Sequence, residues 1–397
     1  MLSKEMLALG KSSCIIRQIA EYSRTRKQEI GSENVFDFSI GNPSVPTPPV
    51  VNQTMGKLLE EYDPVALHSY TSAPGDFAVR QKLAANITAR FGVAADPSLM
   101  YITCGASSSL AIVLRAITNP GDEVILLAPF FTEYDVFVKN AGAQPKIVCC
   151  RPGDFQLDFE ALEEGINEKT RAIIVNSPNN PTGAVFGEES MVQLAALLEK
   201  KATQLGHPIT VIADEPYREL VYDGVQVPYI PKYYKDTIVC YSYSKSLSLP
   251  GERIGYILVP PDAPMAEEVF AAISGAGRSL GYICAPSLLQ YTVAACDGTP
   301  PDIASYDKNR KLLYEALTDI GYEAVRPQGA FYLFVKALEA DAVAFCERAK
   351  KYELVLVPSD DFGVSGYVRI AYCVSYEQIE RSLPAFRKLY DDYKKGE

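Results

Sequence analysis

Thr237-Ile238-Val239-Cys240-Tyr241-Ser242-Tyr243-Ser244-Lys245-Ser246-Leu247-Ser248-Leu249-Pro250-Gly251-Glu252-Arg253 is the stretch that decides how the chain is read. Its first residues are apolar without alternation, the pattern of a strand buried on both faces. A loop of small residues follows, with Lys245 among its hydroxyls and Arg253 further on. An amine at the end of a buried strand, beside hydroxyls and a guanidinium, suits a covalent carbon–nitrogen link next to a phosphate.

Working outward, six further apolar runs resemble the 238–241 run: residues 100–103, 123–127, 146–149, 172–175, 210–213 and 255–259. Helical signals lie between them. Asp158 is placed to cap 159–166, and 188–204 is rich in Ala, Leu, Glu and Lys. The alternation predicts an α/β fold: a large domain over 46–290 with a mainly parallel, seven-stranded sheet between helices. Beyond it, helices are expected over 305–320, 341–352 and 376–393, and strands over 330–335 and 367–372. These make a smaller α+β domain from both chain ends, 1–45 and 291–397, although a helical pattern runs through the boundary at 290.

Bulk properties exclude several classes. A net charge of −11 argues against a nucleic-acid binder or a protein of anionic membrane surfaces. Nine cysteines, an odd number without a Cys-x-x-Cys, and only two histidines argue against a disulfide framework and a His/Cys metal site. Reduced, mostly buried thiols suit a cytoplasm. Residues 1–26 mix charges throughout with no signal-peptide core, and no run approaches the length of a membrane span.

Other strand ends carry candidate chemistry. Asp214, in Ile212-Ala213-Asp214-Glu215-Pro216-Tyr217, can hold a pyridine nitrogen protonated, and Tyr217 can reach a phenolate oxygen. Asn180, in Ser177-Pro178-Asn179-Asn180-Pro181-Thr182-Gly183, offers an amide in a tight turn. Gly105, Ala106 and Ser107 open a helical pattern where backbone N–H groups favour an anion, and Ser242 and Arg253 can complete a phosphate cup. Phe131, in Pro129-Phe130-Phe131, can give a ring platform. An amine, a carboxylate for a ring nitrogen, a phenolate donor, a platform and a phosphate cup are what pyridoxal 5'-phosphate needs of a protein.

Together these motifs resemble the class I/II aminotransferases of the aspartate aminotransferase superfamily, with fold type I. The resemblance covers nearly the whole chain, from Ser39-Ile40-Gly41-Asn42-Pro43 and Tyr70-Thr71-Ser72-Ala73-Pro74-Gly75 to Pro327-Gln328-Gly329-Ala330-Phe331-Tyr332 and Gly366-Tyr367-Val368-Arg369-Ile370. It implies that Lys245 carries the cofactor and shuttles a proton, with Asp214 and Tyr217 as its catalytic partners. It implies that Arg369 binds the substrate α-carboxylate, with Asn180 and Gly41 beside it, and that Tyr70 reaches the partner's site in a homodimer. The implied reaction moves an amino group from an L-amino acid to a 2-oxo acid by a ping-pong route. The same fold and lysine also serve C–S β-lyases, and a ligand-binding regulator is a remote alternative that the short segment before the large domain disfavours. Two positions depart from relatives. Some bacterial aspartate aminotransferases have a lysine where Ser107 or Ser108 stands, with Arg278 as a candidate substitute for reading a distal carboxylate. Ser359 replaces a glycine usual in relatives.

Overall fold

The computed structural model describes residues 2–11 and 15–395. The chain divides into two compact units, one of Val45–Asn180 with Ala184–Asp302, the other of Met1–Ser44, Pro181–Gly183 and Ile303–Glu397.

In the larger unit each of the seven apolar runs becomes a strand. They are β1 Met100–Thr103, β2 Glu123–Ala128, β3 Gln144–Cys149, β4 Thr170–Asn176, β5 Thr210–Asp214, β6 Thr237–Ser242 and β7 Gly255–Leu258. They form one sheet in the order β1-β7-β6-β5-β4-β2-β3, parallel except for β7, which runs antiparallel to both neighbours. Every residue of β1, β6 and β7 is buried, as the unbroken apolar runs require. Chain order reverses between β2 and β4, and ligands gather beyond the strand ends at such a switch point.

Helices cover the sheet where capping residues start them. Asp158 Oδ1 accepts from Ala161 N, so the cap expected before Phe159–Gly165 is present. Ala106–Ile117 packs on β5, β6 and β7 and on the helix Ala266–Leu280. Ser287–Cys296 packs on Pro49–Glu61 and Phe77–Phe91, and Gln290 Oε1 accepts from Asp76 N at 2.8 Å. This helix runs through the expected boundary at 290. Its buried face belongs to the larger unit, so the division falls after Asp302 instead.

In the smaller unit Tyr332–Lys336, Val357–Pro358 and Tyr367–Ala371 form an antiparallel sheet with Tyr367–Ala371 in the middle. The helices Ile303–Ile320 and Tyr376–Lys395 pack together, and Phe38 and Phe386 meet at 5.9 Å between ring centroids. A parallel pairing of Phe36–Asp37 with Leu354–Val355, which no pattern in two residues could announce, fixes the first segment to this unit. Arg26 grips Glu353 through two bonds, Nε to Oε2 at 3.0 Å and Nη2 to Oε1 at 2.6 Å.

Candidate active site

Three parallel strands end side by side. Asn176, the last residue of β4, is in register with Asp214, the last of β5, and Asp214 with Cys240 of β6. Ser242 ends β6, and Lys245 lies in the single helical turn Tyr243–Ser246 that follows. The larger unit thus gathers Asp214, Ser242 and Lys245 at one edge of the sheet, together with the Asn180 turn that leaves β4. The cause is parallel alignment, which puts all C-terminal strand ends on the same side.

Asp214 is 4% exposed, and the Tyr134 hydroxyl donates to its Oδ2. Its other oxygen, Oδ1, is buried without a hydrogen-bond partner. Burial raises the Asp214 carboxyl to about 7, against the lowering pull of the Tyr134 bond. Burial and then the Asp214 charge push the Tyr134 phenol well above its ordinary range. A buried carboxylate oxygen without a donor is costly alone, so it marks a place for a group that brings an N–H.

Tyr134 is a residue the sequence reading missed. It stands three positions after Phe131, the spacing that also separates Tyr217 from Asp214, and that echo was the available signal. Phe131 is half-buried and meets Tyr134 edge-on at 5.6 Å. Asn176 was missed too, although a polar amide closing an apolar strand is conspicuous. Its Nδ2 donates to Asp214 O at 2.9 Å and its Oδ1 accepts from Asn180 N at 2.8 Å. One side chain thereby ties the Asn180 turn to the strand that carries Asp214. Tyr217 is buried close by in sequence.

At the end of β1, Gly105 caps Ala106–Ile117 with φ +89°, a conformation that favours glycine. A Cβ there would stand 3.0 Å from Arg253 Nη2, so the guanidinium lies against bare backbone. Arg253 is exposed and anchored by Nη1 to Pro250 O at 2.9 Å. Ser108 Oγ donates to Gly105 O at 2.8 Å, and Ser109 Oγ meets Thr103 Oγ1 at 2.7 Å. Ser107, half-buried, has no such tie, which separates it from its neighbours as the hydroxyl open to an anion. Ser242 Oγ instead pairs with Ser244 Oγ at 2.8 Å. Helix start, open backbone and guanidinium are donors that could hold an anion.

The family model for aminotransferase class I and II matches residues 33–386. The chain belongs to this family. As an aminotransferase of this kind it is 52% identical to an amino transferase from Eubacterium rectale, with a TM-score of 0.97 and 99% of each chain covered. An aspartate aminotransferase from Thermus thermophilus, solved with maleate, is 27% identical, with a TM-score of 0.86 over 98% of this chain and 99% of that one. Aromatic-amino-acid aminotransferase 2 of Thermococcus litoralis is also 27% identical, over 92% of this chain and 94% of its own. The family's activity, transfer of amino groups, and its general use of pyridoxal phosphate accord with the Asp214 and Gly105 features.

The other expected residues of this aminotransferase belong to elements other than those strand ends. Tyr70 is 96% exposed. Arg278 is exposed in the last turn of Ala266–Leu280. Arg369 and Gly41 belong to the smaller unit. Arg369 is 3% exposed on the central strand of its sheet, with Nη2 donating to Ser39 O at 2.7 Å. Its guanidinium carbon lies 4.6 Å from the Tyr332 ring and 5.2 Å from that of Phe362. A Cβ on Gly41 would collide with the Tyr332 hydroxyl. Ser359 accepts from Tyr367 N at 3.0 Å through Oγ, so its hydroxyl braces the strand that carries Arg369. Among the described residues no cluster of His, Cys, Asp and Glu is arranged to hold a metal ion, and no helix is long and apolar enough to cross a membrane.

Proposed function

We propose that this aminotransferase carries pyridoxal 5'-phosphate covalently on Lys245 Nζ and moves an amino group from an L-amino acid to a 2-oxo acid in two half-reactions. The observation that carries the reading is the buried, partnerless Asp214 Oδ1 at the end of β5, beside the strand that leads into Lys245. When bound, the cofactor supplies an electron sink for the substrate α-carbon. Asp214 Oδ1 accepts the ring N–H and keeps that nitrogen protonated, and Tyr134 holds the carboxylate in place. Gly105, Ala106, Ser107, Ser242 and Arg253 take the phosphate, Phe131 faces the ring, and Tyr217 and Asn180 serve its phenolate oxygen. Lys245 Nζ, once released by the incoming substrate amine, moves the proton from the substrate α-carbon. In the smaller unit the flat fork of Arg369, steadied by Tyr332 and Ser39, receives the α-carboxylate, with Gly41 leaving room alongside.

The proposal extends to a homodimer in which Tyr70 reaches the partner's site. An aromatic side chain so fully exposed supports that role. A reducing compartment such as the cytoplasm suits the eight described cysteines, all free.

The test is a screen of amino donors with 2-oxoglutarate, scored by visible absorbance and by product. The wild type is expected to absorb in the visible and to turn over. Lys245→Ala is expected to lose turnover by about a thousandfold or more, and to lose the adduct trapped by borohydride. Normal turnover by Lys245→Ala would overturn the reading. Pyruvate release from cystathionine without amino transfer would replace it with a lyase.

A further inference from the structure

The helix that carries Lys245 is one turn long, Tyr243–Ser246. One turn is too short to hold itself, because nucleating a helix costs more than its first hydrogen bond returns. Its position therefore comes from outside, and two of the ties come from tyrosines with no place in the cofactor chemistry.

Tyr241 precedes Ser242 in β6, so the two side chains leave opposite faces of the sheet. The Tyr241 hydroxyl lies 2.9 Å from Ser246 Oγ and 3.0 Å from Glu219 Oε2. A phenol has one proton. Glu219, ion-paired to Arg90 Nη1 at 2.7 Å, can only accept, so the phenolic proton goes to the carboxylate and the Ser246 hydroxyl donates to the phenol oxygen. The other end of the turn is held by Tyr243, whose hydroxyl donates to Asp297 Oδ1 at 3.0 Å. Asn86 Nδ2 donates to the other oxygen of Asp297, also at 3.0 Å. Both residues that flank Lys245 are thus fastened, Ser246 to Tyr241 and Ser244 to Ser242.

Tyr241 is itself clamped by charge and stacking. The guanidinium carbon of Arg218 lies 4.8 Å from its ring centroid, and Tyr256 stacks on it with centroids 5.0 Å apart. Arg218 is buried and paired with Glu215. A cavity of about 360 Å³, lined by Arg90, Arg218, Tyr241, Tyr256 and Asp297 among others, adjoins this cluster. Tyr241 is buried, its ring packed by Arg218, Tyr256 and Tyr243 and its hydroxyl aimed by the two hydrogen bonds.

We propose that Tyr241, anchored by Glu219 and Arg218, is a positioning residue that fixes the Lys245 turn through Ser246. This rests on the reading of Lys245 as the cofactor-bearing lysine. The role is a matter of aim: a reacting amine displaced by a fraction of an ångström loses rate without losing substrate affinity.

The experiment compares Tyr241→Phe, Ser246→Ala, Ser246→Thr and the double variant Tyr241→Phe/Ser246→Ala with the wild type as cofactor-loaded enzyme. Both single losses of hydroxyl are expected to lower kcat about tenfold while KM changes less than about twofold. They are also expected to shift the pH midpoint of the visible absorbance. Ser246→Thr, which keeps the hydroxyl, is expected to behave as the wild type, and the double variant to be no worse than the worse single. In the cofactor-free protein, amide exchange at residues 246–247 is expected to speed up in Tyr241→Phe, a readout independent of turnover. Unchanged kcat and absorbance midpoint in Tyr241→Phe and Ser246→Ala would overturn the proposal, as would multiplicative losses in the double variant. If Tyr241→Phe does not fold, Ser246→Ala against Ser246→Thr decides, and equal kcat in those two sinks it. Failure of the underlying reading looks different: the wild type itself would lack the visible band, or Lys245→Ala would remain active.

Discussion

Asp214 shows how one residue links stability to cofactor chemistry. Its folded carboxyl titrates at about 7, above the 3.8 of an ordinary aspartate, because burial disfavours the charge. In the cofactor-free protein the folded state therefore binds the extra proton, and stability falls as pH rises from 3.8 to about 7, then levels off. Asp214→Asn removes the buried charge. Its cofactor-free form is expected to melt higher relative to the wild type at pH about 8 than at pH about 5, by an amount worth a few kcal/mol at most. With cofactor the order reverses, because the amide cannot hold a protonated ring nitrogen. Calorimetry of both forms at the two pH values checks this, and a gap independent of pH would mean that Asp214 does not titrate there.

At the scale of elements, the junction of β1 with Ala106–Ile117 depends on one backbone conformation. Gly105 needs its positive φ, and a Cβ would meet the Arg253 guanidinium. Gly105→Ala is expected to cost about 1–2 kcal/mol in stability and, separately, to weaken cofactor binding by about tenfold or more. Denaturant unfolding reports the first and equilibrium dialysis the second. Equal dialysis constants for variant and wild type would remove this junction from the phosphate role. The same junction shows how far the sequence could be read. Continuous apolar runs announced six of the seven strands through burial on both faces, which leaves no room for alternation, while the edge strand β3 has only Val148 buried and was announced by the run Ile147-Val148-Cys149 alone. They did not announce that β7 runs antiparallel, because a strand buried on both faces reads alike in either direction.

For the whole molecule, the dimer proposal makes a prediction that separates subunits. If Tyr70 serves the partner's site, mixing Tyr70→Ala chains with Lys245→Ala chains creates a hybrid in which one of two sites has both residues. Activity is expected to rise on mixing to roughly a quarter of the wild type for random re-pairing. If Tyr70 served its own subunit, every hybrid site would lack one residue and mixing would restore nothing. Sedimentation of each variant alone confirms that re-pairing, not unfolding, is being read.

The positions of Lys245, Asp214, Asn180, Arg253 and Gly105 were legible in the sequence because each lies just after or just before an apolar run. Local patterns of polarity and glycine betray such positions without reference to the rest of the chain. Tyr134, Asn176 and Tyr241 were not, because their roles exist only through partners in other elements: Asp214 for the first two, Glu219 and the Ser246 of the following turn for the third. The Asn180-Pro181-Thr182-Gly183 turn shows the same divide. Its residues announce a tight turn, yet Asn180 clusters with the larger unit and Pro181–Gly183 with the smaller, where Gly183 O accepts from both Gln328 N and Gly329 N at 2.9 Å. By itself, then, the sequence determined the strands, the turn chemistry and the residue types at the strand ends, since these follow from short-range sterics and burial. Which side chains brace one another, and to which unit a turn belongs, was decided only by the tertiary structure. Hydrogen bonds between distant segments are set by how the strands align, and no local pattern carries that information.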